Sequence, residues 1–362
     1  GANHTAWLSQ FGRILYDFEG TYAFTGIIRR EASSKFGPNN RYGIFPSAGV
    51  SWAISDEAFF PQSRKIEYIK LRVSWGINGN DEIGNWQYLP VMDYSRSYIF
   101  GGGIRTGTSP EYINNPELHW EESEQLDFAI DVSAFRGRLT GTIDYYIKTT
   151  HDLLEEAIIP GHVGNGPPVA NVGTVKNSGL ELSVNWRHKL KDFGYAFGIN
   201  GAYNKNEMVE IANEEGVLLG ADWAVAGKVT RAEEGLPLPF FYGFETDGIF
   251  QSQGEVFQHI GSTGQMLQPD AEPGDVRFVD TNGDGILNDD DRTMIGSPIP
   301  DVTIGFNGSL EYKNFDFSMF LNGAFGNEVF NGSQRHDLSF TNRTTEILDR
   351  WTPENPSNEV PR

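Results

Sequence analysis

Ten stretches of this chain alternate apolar and polar residues at period two, and the connections between them alternate strictly between short and long. The stretches lie near residues 8–19, 21–31, 43–54, 66–77, 123–135, 137–149, 177–188, 193–206, 301–312 and 315–326. Each is close to the roughly nine to eleven residues that a tilted strand needs to cross a bilayer. In the fifth, Leu126, Phe128, Ile130, Val132 and Ala134 share one face and Gln125, Asp127, Asp131 and Ser133 the other. The sixth sets Leu139, Ile143, Tyr145 and Ile147 against Thr140, Thr142, Asp144 and Lys148. A soluble antiparallel sheet with one wet face gives the same alternation, so the connections decide. Short ones at Glu19-Gly20, 135–138, 189–192 and Lys313-Asn314, with a somewhat longer one near 55–65, alternate with long ones near 32–42, 78–122, 150–176 and 207–300. That asymmetry predicts an all-β protein, an antiparallel transmembrane β-barrel with brief periplasmic turns and long extracellular loops. Aromatics at the short-turn ends, among them Phe18, Tyr22, Phe135, Trp186, Phe193, Tyr312 and Phe315, fit an interfacial girdle.

Composition excludes several classes. No run of eighteen apolar residues is present, so no helix is expected to span a membrane, and a barrel remains open. A net charge of −21 disfavours nucleic acid, whose phosphates need a basic face. The absence of Cys removes disulfides, thiolate nucleophiles and Cys-based metal sites. Residues 207–300 carry Trp223, Phe240, Phe241, Tyr242, Phe244 and Phe250, too many aromatics for a disordered tail, and are expected to fold as an extracellular cap.

Within that segment, Asp280-Thr-Asn282-Gly-Asp284-Gly285-Ile286-Leu-Asn288-Asp-Asp-Asp291 has the spacing of a calcium loop. Asp280, Asn282 and Asp284 would supply the first ligands, the Ile286 carbonyl the next, Asn288 one through water, and Asp291 the last. Gly285 would permit the sharp turn. The flanks do not read as two amphipathic helices, so a bound Ca²⁺ would be a structural clip rather than a sensor.

Catalytic chemistry has little support. The seven His form no His-x-x-x-His pair, and neither a Gly-x-Ser-x-Gly nor a Walker-type loop occurs. Glu121 and Glu122 beside Trp120 suggest a glycosidase pair, but adjacency does not set the separation that such chemistry needs, so no catalytic residue is assigned. For solute binding, the loop residues Trp86, Trp120 and Trp223, with Tyr88 and Trp351, are candidates to stack on sugar rings. Arg72, Asp127, Asp131, Asp144 and Arg187 are candidates to face a polar interior.

Read in order, several stretches resemble the SusC/RagA family of TonB-dependent outer-membrane transporters. These are Phe11-Gly-Arg-Ile-Leu-Tyr16, Ile28-Arg-Arg-Glu-Ala-Ser-Ser-Lys-Phe-Gly37, Gly43-Ile-Phe-Pro-Ser-Ala-Gly-Val-Ser-Trp52 and Lys70-Leu-Arg-Val-Ser-Trp-Gly-Ile-Asn-Gly79. Later come Gly274-Asp-Val-Arg-Phe-Val-Asp-Thr-Asn-Gly-Asp-Gly285, Ile295-Gly-Ser-Pro-Ile-Pro300, Tyr312-Lys-Asn-Phe-Asp316 and Arg350-Trp-Thr-Pro-Glu-Asn-Pro356. The resemblance implies a multi-pass protein of the bacterial outer membrane, of Bacteroidetes type. It further implies import of oligosaccharides or peptides with a SusD-like surface lipoprotein, energised by TonB with ExbB and ExbD. On that basis residues 1–362 are part of one barrel domain, about ten strands of roughly twenty-two. The family's plug domain, TonB box and last strands lie outside this stretch. Two other readings share parts of the pattern. One is a secreted, calcium-clipped β-rich carbohydrate-binding or glycosidase module, which predicts evenly short loops; the other is a passive porin.

Overall fold

The computed structural model describes residues 4–61, 65–157, 159, 161–213, 215–223, 227–333 and 342–362. The chain divides into two units. One comprises Gly1–Leu218, Glu233–Leu238 and Pro300–Gly326, and the other Leu219–Ala232, Pro239–Ile299 and Asn327–Arg362.

The first unit is built on one ten-stranded sheet in which each strand pairs antiparallel with the next in chain order. The strands are β1 (Trp7–Phe18), β2 (Tyr22–Ser33), β3 (Tyr42–Ala53), β4 (Ile66–Asn80), β5 (Glu121–Ala134), β6 (Leu139–His151), β7 (Gly173–Leu190), β8 (Phe193–Ile211), β9 (Val302–Tyr312) and β10 (Phe315–Phe325). All ten expected strands are present. Only two residues separate β7 from β8 and β9 from β10, and the backbone reverses there with Lys191 and Lys313 at left-handed φ of 49° and 52°. Among the described residues no helix is long and apolar enough to cross a membrane, which bears only on helices.

Register sorts the two faces. One row runs through Leu71, Ile130, Ile143 and Leu182, and the row beside it, on the opposite face, through Asp131, Thr142, Ser183, Asn200 and Gly305. The apolar face has no cover: Phe128, Ile143, Tyr145, Leu180, Leu182, Ile199, Ile304, Phe317 and Leu321 are all exposed. In water each such side chain would forgo roughly 1.5–3 kcal/mol of burial. A soluble sheet would have covered that face, and a lipid-facing one needs no cover. On β7 the apolar outward residues Leu180, Leu182, Val184 and Trp186 lie between Ser178 and His188. At ~3.4 Å per residue and ~40° of tilt that interval is about 26 Å tall, the height of a bilayer's apolar band. Aromatic pairs collect at the short-turn end. Tyr22 stacks on Trp52 (6.3 Å), Phe135 meets Trp186 (5.8 Å), Tyr195 lies between Phe193 and Phe197 (5.9 and 5.6 Å), and Lys313 sits over Tyr312 (5.3 Å).

The long-connection end follows a different rule. β7 and β8 have 18 and 19 residues and stay paired up to Gly173 and Ile211, well past the expected ends at 177 and 206. From the level of Ser178 upward the charged Lys205, its direct partner, and then Lys176 and Glu207 take the outward positions. Val175 and Met208, together with Ile211, form a small buried core joined by Leu153, Leu218 and Leu238. A second core gathers Phe36, Phe45, Leu118 and Trp120. Both lie where loops meet strand ends, so water-type packing begins where the lipid-facing pattern stops.

The second unit is made of short pieces. Strands Thr230–Glu233, Phe240–Phe244 and Arg292–Gly296 pair antiparallel, Arg292 lies over Phe244 (5.1 Å), and Phe244 packs on Phe278 (5.5 Å). A helix, Gln253–Gln258, starts at Ser252, whose hydroxyl accepts from the Glu255 N–H. The segment 350–362 is fastened by the Trp351 indole N–H to Gln251 Oε1 (3.0 Å) and by the Arg362 N–H to the Gly274 carbonyl (3.0 Å).

Candidate functional site

The polar face of the sheet carries the charged residues expected of an interior. Arg72 grips Asp131 with two N–H groups (2.8 and 3.2 Å) and stands 3.9 Å from Asp144. Thr142 donates to Asp131 (3.0 Å), Ser74 and Gln125 donate to Asp127 (3.2 and 2.9 Å), and the Tyr146 hydroxyl donates to Asn204 (2.9 Å). A bidentate guanidinium–carboxylate pair has fixed geometry, so Asp131 and Arg72 stiffen each other. Beside them a cavity of about 570 Å³ crosses strands β6 to β10, lined by Thr142, Asp144, Glu181, Asn200, Thr303 and Asn322. Arg187 lines a separate cavity at the short-turn end with Arg138 and Lys189. These groups can hydrogen-bond a hydrated solute.

The calcium-type loop, in the second unit, is folded by its own side chains. Asp280 accepts from the N–H groups of Gly283 (2.7 Å) and Gly285 (2.9 Å), Asn282 from Asp284 (2.8 Å), Asp284 from Ile286 (2.8 Å) and Asn288 from Asp290 (2.7 Å). Gly285 has φ +84°, and a Cβ there would meet Thr263 Oγ1 at 2.8 Å, so both backbone and space require glycine. Asp291 is fully buried and accepts from the amides of Asn288 (2.8 Å), Thr281 (2.9 Å) and, at a long 3.5 Å, Asn282. Burial pulls its pKa up, but those amides and the Asp280 side chain together hold it below the ordinary carboxylate value. Among the described residues no three acidic or His side chains converge as a metal cage. The donors are nonetheless all oxygen, as a hard cation needs. A carboxylate has about four acceptor positions, so Asp280 and Asp284 retain capacity beyond these bonds.

The three expected stacking residues part company. Trp120 is buried between Phe36 (5.2 Å) and Phe45 (5.4 Å), with its N–H given to the Arg41 carbonyl (3.2 Å). Its expected role at a sugar is thereby corrected to packing: partners about eighty positions earlier in the chain cover the ring. Trp223 is half-exposed and meets Phe330 edge-on at 5.8 Å. Trp86 stands exposed. Glu121 is a brace, accepting from Asn80 (3.1 Å) and from the Leu154 N–H (3.1 Å). Sequence reasoning missed Asp81, which accepts from the Trp7 indole (2.7 Å) and Ser33 (2.6 Å) while its carbonyl takes the Lys35 ammonium (2.8 Å). Nothing in the local pattern marks that meeting of residues from strand ends and a loop.

Comparison with known proteins agrees with this geometry. The family model described as TonB dependent receptor-like, beta-barrel, matches residues 2–323. The chain is 34% identical to TonB-dependent receptor P26 of Formosa agariphila, over 98% of this chain and 36% of that protein. It is 31% identical to TonB-dependent receptor SusC of Bacteroides thetaiotaomicron, over 91% of this chain and 32% of that one. Among solved structures it is similar to one titled the RagAB peptide transporter, with a TM-score of 0.80 at 26% identity, covering 99% of this chain and 38% of the other. The chain thus spans about a third of the length of the curated relatives it matches.

Proposed function

The chain belongs to the TonB-dependent receptor β-barrel family, and from that premise we propose that it is the wall and loop region of an outer-membrane nutrient importer of the SusC type. In this reading the protein catalyses no reaction. It takes up oligosaccharides or peptides together with a SusD-like surface lipoprotein, and TonB with ExbB and ExbD supplies the energy. The observation that carries the reading is the pairing of an uncovered apolar face with a charged, hydrogen-bonding face on one continuous sheet. One side suits lipid and the other a polar solute path. Similarity over nearly the whole chain to a structure titled the RagAB peptide transporter supports peptides within the substrate range, while the lipoprotein partner and the oligosaccharides rest on the resemblance to the SusC/RagA family.

The test is purification of the full-length protein from native outer membranes in mild detergent, with mass spectrometry of whatever accompanies it. A stoichiometric surface lipoprotein, and uptake that stops when TonB is deleted, is the expected result. Recovery in the soluble fraction, or uptake indifferent to TonB, overturns the reading.

The acidic loop is read as a structural Ca²⁺ site, with Asp280, Asn282, Asp284, the Ile286 carbonyl, Asn288 and Asp291 as its donors. The ion would add a crosslink to a loop already set by its Asx turns. Chelator should speed proteolysis between residues 262 and 300, and Asp280→Ala with Asp284→Ala should do so without chelator. Cleavage that is the same with and without chelator counts against the ion.

A further inference from the structure

Three successive hairpin turns at the short-turn end, β5–β6, β7–β8 and β9–β10, run against the composition of the chain. Acids outnumber Lys and Arg by 49 to 28 overall, yet residues 135–138, 187–192 and 311–314 hold Arg136, Arg138, Arg187, Lys189, Lys191 and Lys313 against Asp192 and Glu311. Among the described residues none of these six cations has an ion-pair partner. Register sorts them. Arg138, Arg187 and Lys189 flank the outward Leu139, Trp186 and His188, and Lys189 shares its row with Gly194, Glu311 and Asp316, so this set turns to the polar side. Arg136, Lys191 and Lys313 stand instead at the three turn tips, all exposed.

The tips have left-handed φ of 62°, 49° and 52°. Turns usually fill such positions with Gly, Asn or Asp, so the backbone does not call for a long cation there. Bonds nevertheless hold the tips in place. The Lys313 N–H donates to the Asp192 carbonyl (3.2 Å), which ties two of the turns together. Glu67 accepts from the backbone N–H groups of Arg136 and of Gly137, the latter at 2.9 Å, and so braces the third turn through its backbone.

Depth points to the ligand. Leu190, Phe193, Tyr312 and Phe315 pair across the sheet in one exposed outward row, one step beyond His188, where the lipid-facing pattern ends. Lys191 and Lys313 follow that row directly, and Arg136 lies two residues past Ala134, which is level with Trp186. At ~3.4 Å per residue and ~40° of tilt, the tips stand between the hydrocarbon edge and about 8 Å beyond it, a span close to the roughly 5–7 Å of headgroup layer on each side. Strand spacing puts successive tips about 10 Å apart, near the width of one phospholipid. Asp56 and Glu57, on the next turn, bound the row on one side. Asp17 and Glu19 are four strands away, about 19 Å and more than two Debye lengths, so the local positive sign prevails over the net charge of −21. A free anion meets only the cations, whereas a phospholipid meets the cations and the apolar row together. We propose that Arg136, Lys191 and Lys313 bind the phosphates of anionic phospholipids in the leaflet on the short-turn side; this rests on the importer reading above and adds a preferred lipid to it.

The experiment uses the full-length transporter, purified in mild detergent and stripped of native lipid. It is titrated with phosphatidylglycerol or with phosphatidylcholine, and bound lipids are counted by native mass spectrometry. The wild type should hold phosphatidylglycerol more tightly. Arg136→Asn with Lys191→Asn and Lys313→Asn should weaken that binding about a hundredfold, at about fivefold per cation, and bring the two lipids level. Asn suits a left-handed φ better than Lys or Arg, so the turns should keep their fold, and an unchanged thermal unfolding midpoint checks this. The charge-conserving set Arg136→Lys, Lys191→Arg and Lys313→Arg should keep the preference. Equal binding of the two lipids by the wild type overturns the inference, as does a preference that survives in the triple Asn variant. Displacement of phosphatidylglycerol by an equimolar amount of inorganic phosphate overturns it too, since the site would then take a free anion. Each of these outcomes leaves the importer reading standing if a stoichiometric surface lipoprotein still co-purifies; a full-length protein that is soluble without detergent overturns both.

Discussion

Arginine placed at Ile143 and at its neighbour Thr142 should give opposite results, because consecutive residues of β6 face different solvents. Ile143 pairs laterally with Ile130 and Leu182, both apolar and exposed. It lies four residues above Leu139, which is paired with Trp186 of the aromatic ring. At ~3.4 Å per residue and ~40° of tilt this puts Ile143 about 10 Å inside the apolar band, near its middle. An arginine at that depth costs about 2–4 kcal/mol. Thr142 faces the polar side, where its hydroxyl bonds Asp131 and where Asp144 stands nearby. Thr142→Arg loses one hydrogen bond, about 1 kcal/mol, and gains carboxylate neighbours, so its net cost should fall between zero and about 1 kcal/mol. The difference, about 2 kcal/mol, is roughly a thirtyfold change in the folding equilibrium. Urea titration of the full-length protein folded into phospholipid vesicles, followed by tryptophan fluorescence, measures it, with Ile143→Ser as the control for loss of the side chain alone. Equal costs for the two arginines, or a greater cost at Thr142, would refute the assignment of faces and the membrane reading built on it.

Two further outcomes follow from the loops. Asp291→Ala strips the amides of Thr281 and Asn288 of a charged acceptor in a buried place, which should cost about 2–4 kcal/mol locally and speed hydrogen exchange at those two amides while β6 and β7 exchange as before. Unchanged exchange at both amides would show that the carboxylate does not hold the loop. Glu155, in the short hairpin of Leu154–Glu156 with Val169–Asn171, is exposed as a residue, yet partial desolvation of its carboxyl and then the charges of Glu121 and Glu156 raise its pKa, so the effect on stability is small. A carboxyl whose folded pKa exceeds its unfolded one penalises the fold above the folded pKa, and the penalty disappears as pH falls to the unfolded value. Glu155→Gln should therefore strengthen hydrogen-exchange protection of this hairpin at neutral pH and leave it unchanged in acid. A gain that persists equally at acidic pH would contradict this account.

The strands were legible because two solvents impose one rule on every residue of the wall. At Leu180, Leu182 and Val184 against Glu181, Ser183 and Asn185, each position declares its side without reference to anything distant. Legibility ended where that rule changes. β7 and β8 outrun their expected ends because Val175 and Met208 are apolar on the inward side, so the alternation breaks while the pairing continues. Trp120 and Trp86 look alike in sequence, each an aromatic in a polar loop. Their fates were set by Phe36 and Phe45 arriving from far along the chain in one case, and by a left-handed backbone angle in the other. The acidic loop was readable as a turn because its Asx bonds run between residues two to five apart.

The change of rule along β7 and β8 acts as a depth gauge. Below Ser178 the outward positions hold Leu180, Leu182 and Val184, level with it stands Lys205, and above it they hold Lys176 and Glu207. Sliding the hairpin by two residues would drag a charge into hydrocarbon or lift a leucine into water. Its vertical position is therefore fixed to about 5 Å, one side-chain repeat projected on the membrane normal. A wall that carries its own waterline needs no external reference to seat itself, and loops rooted above that line can vary in sequence without changing how deep the barrel sits.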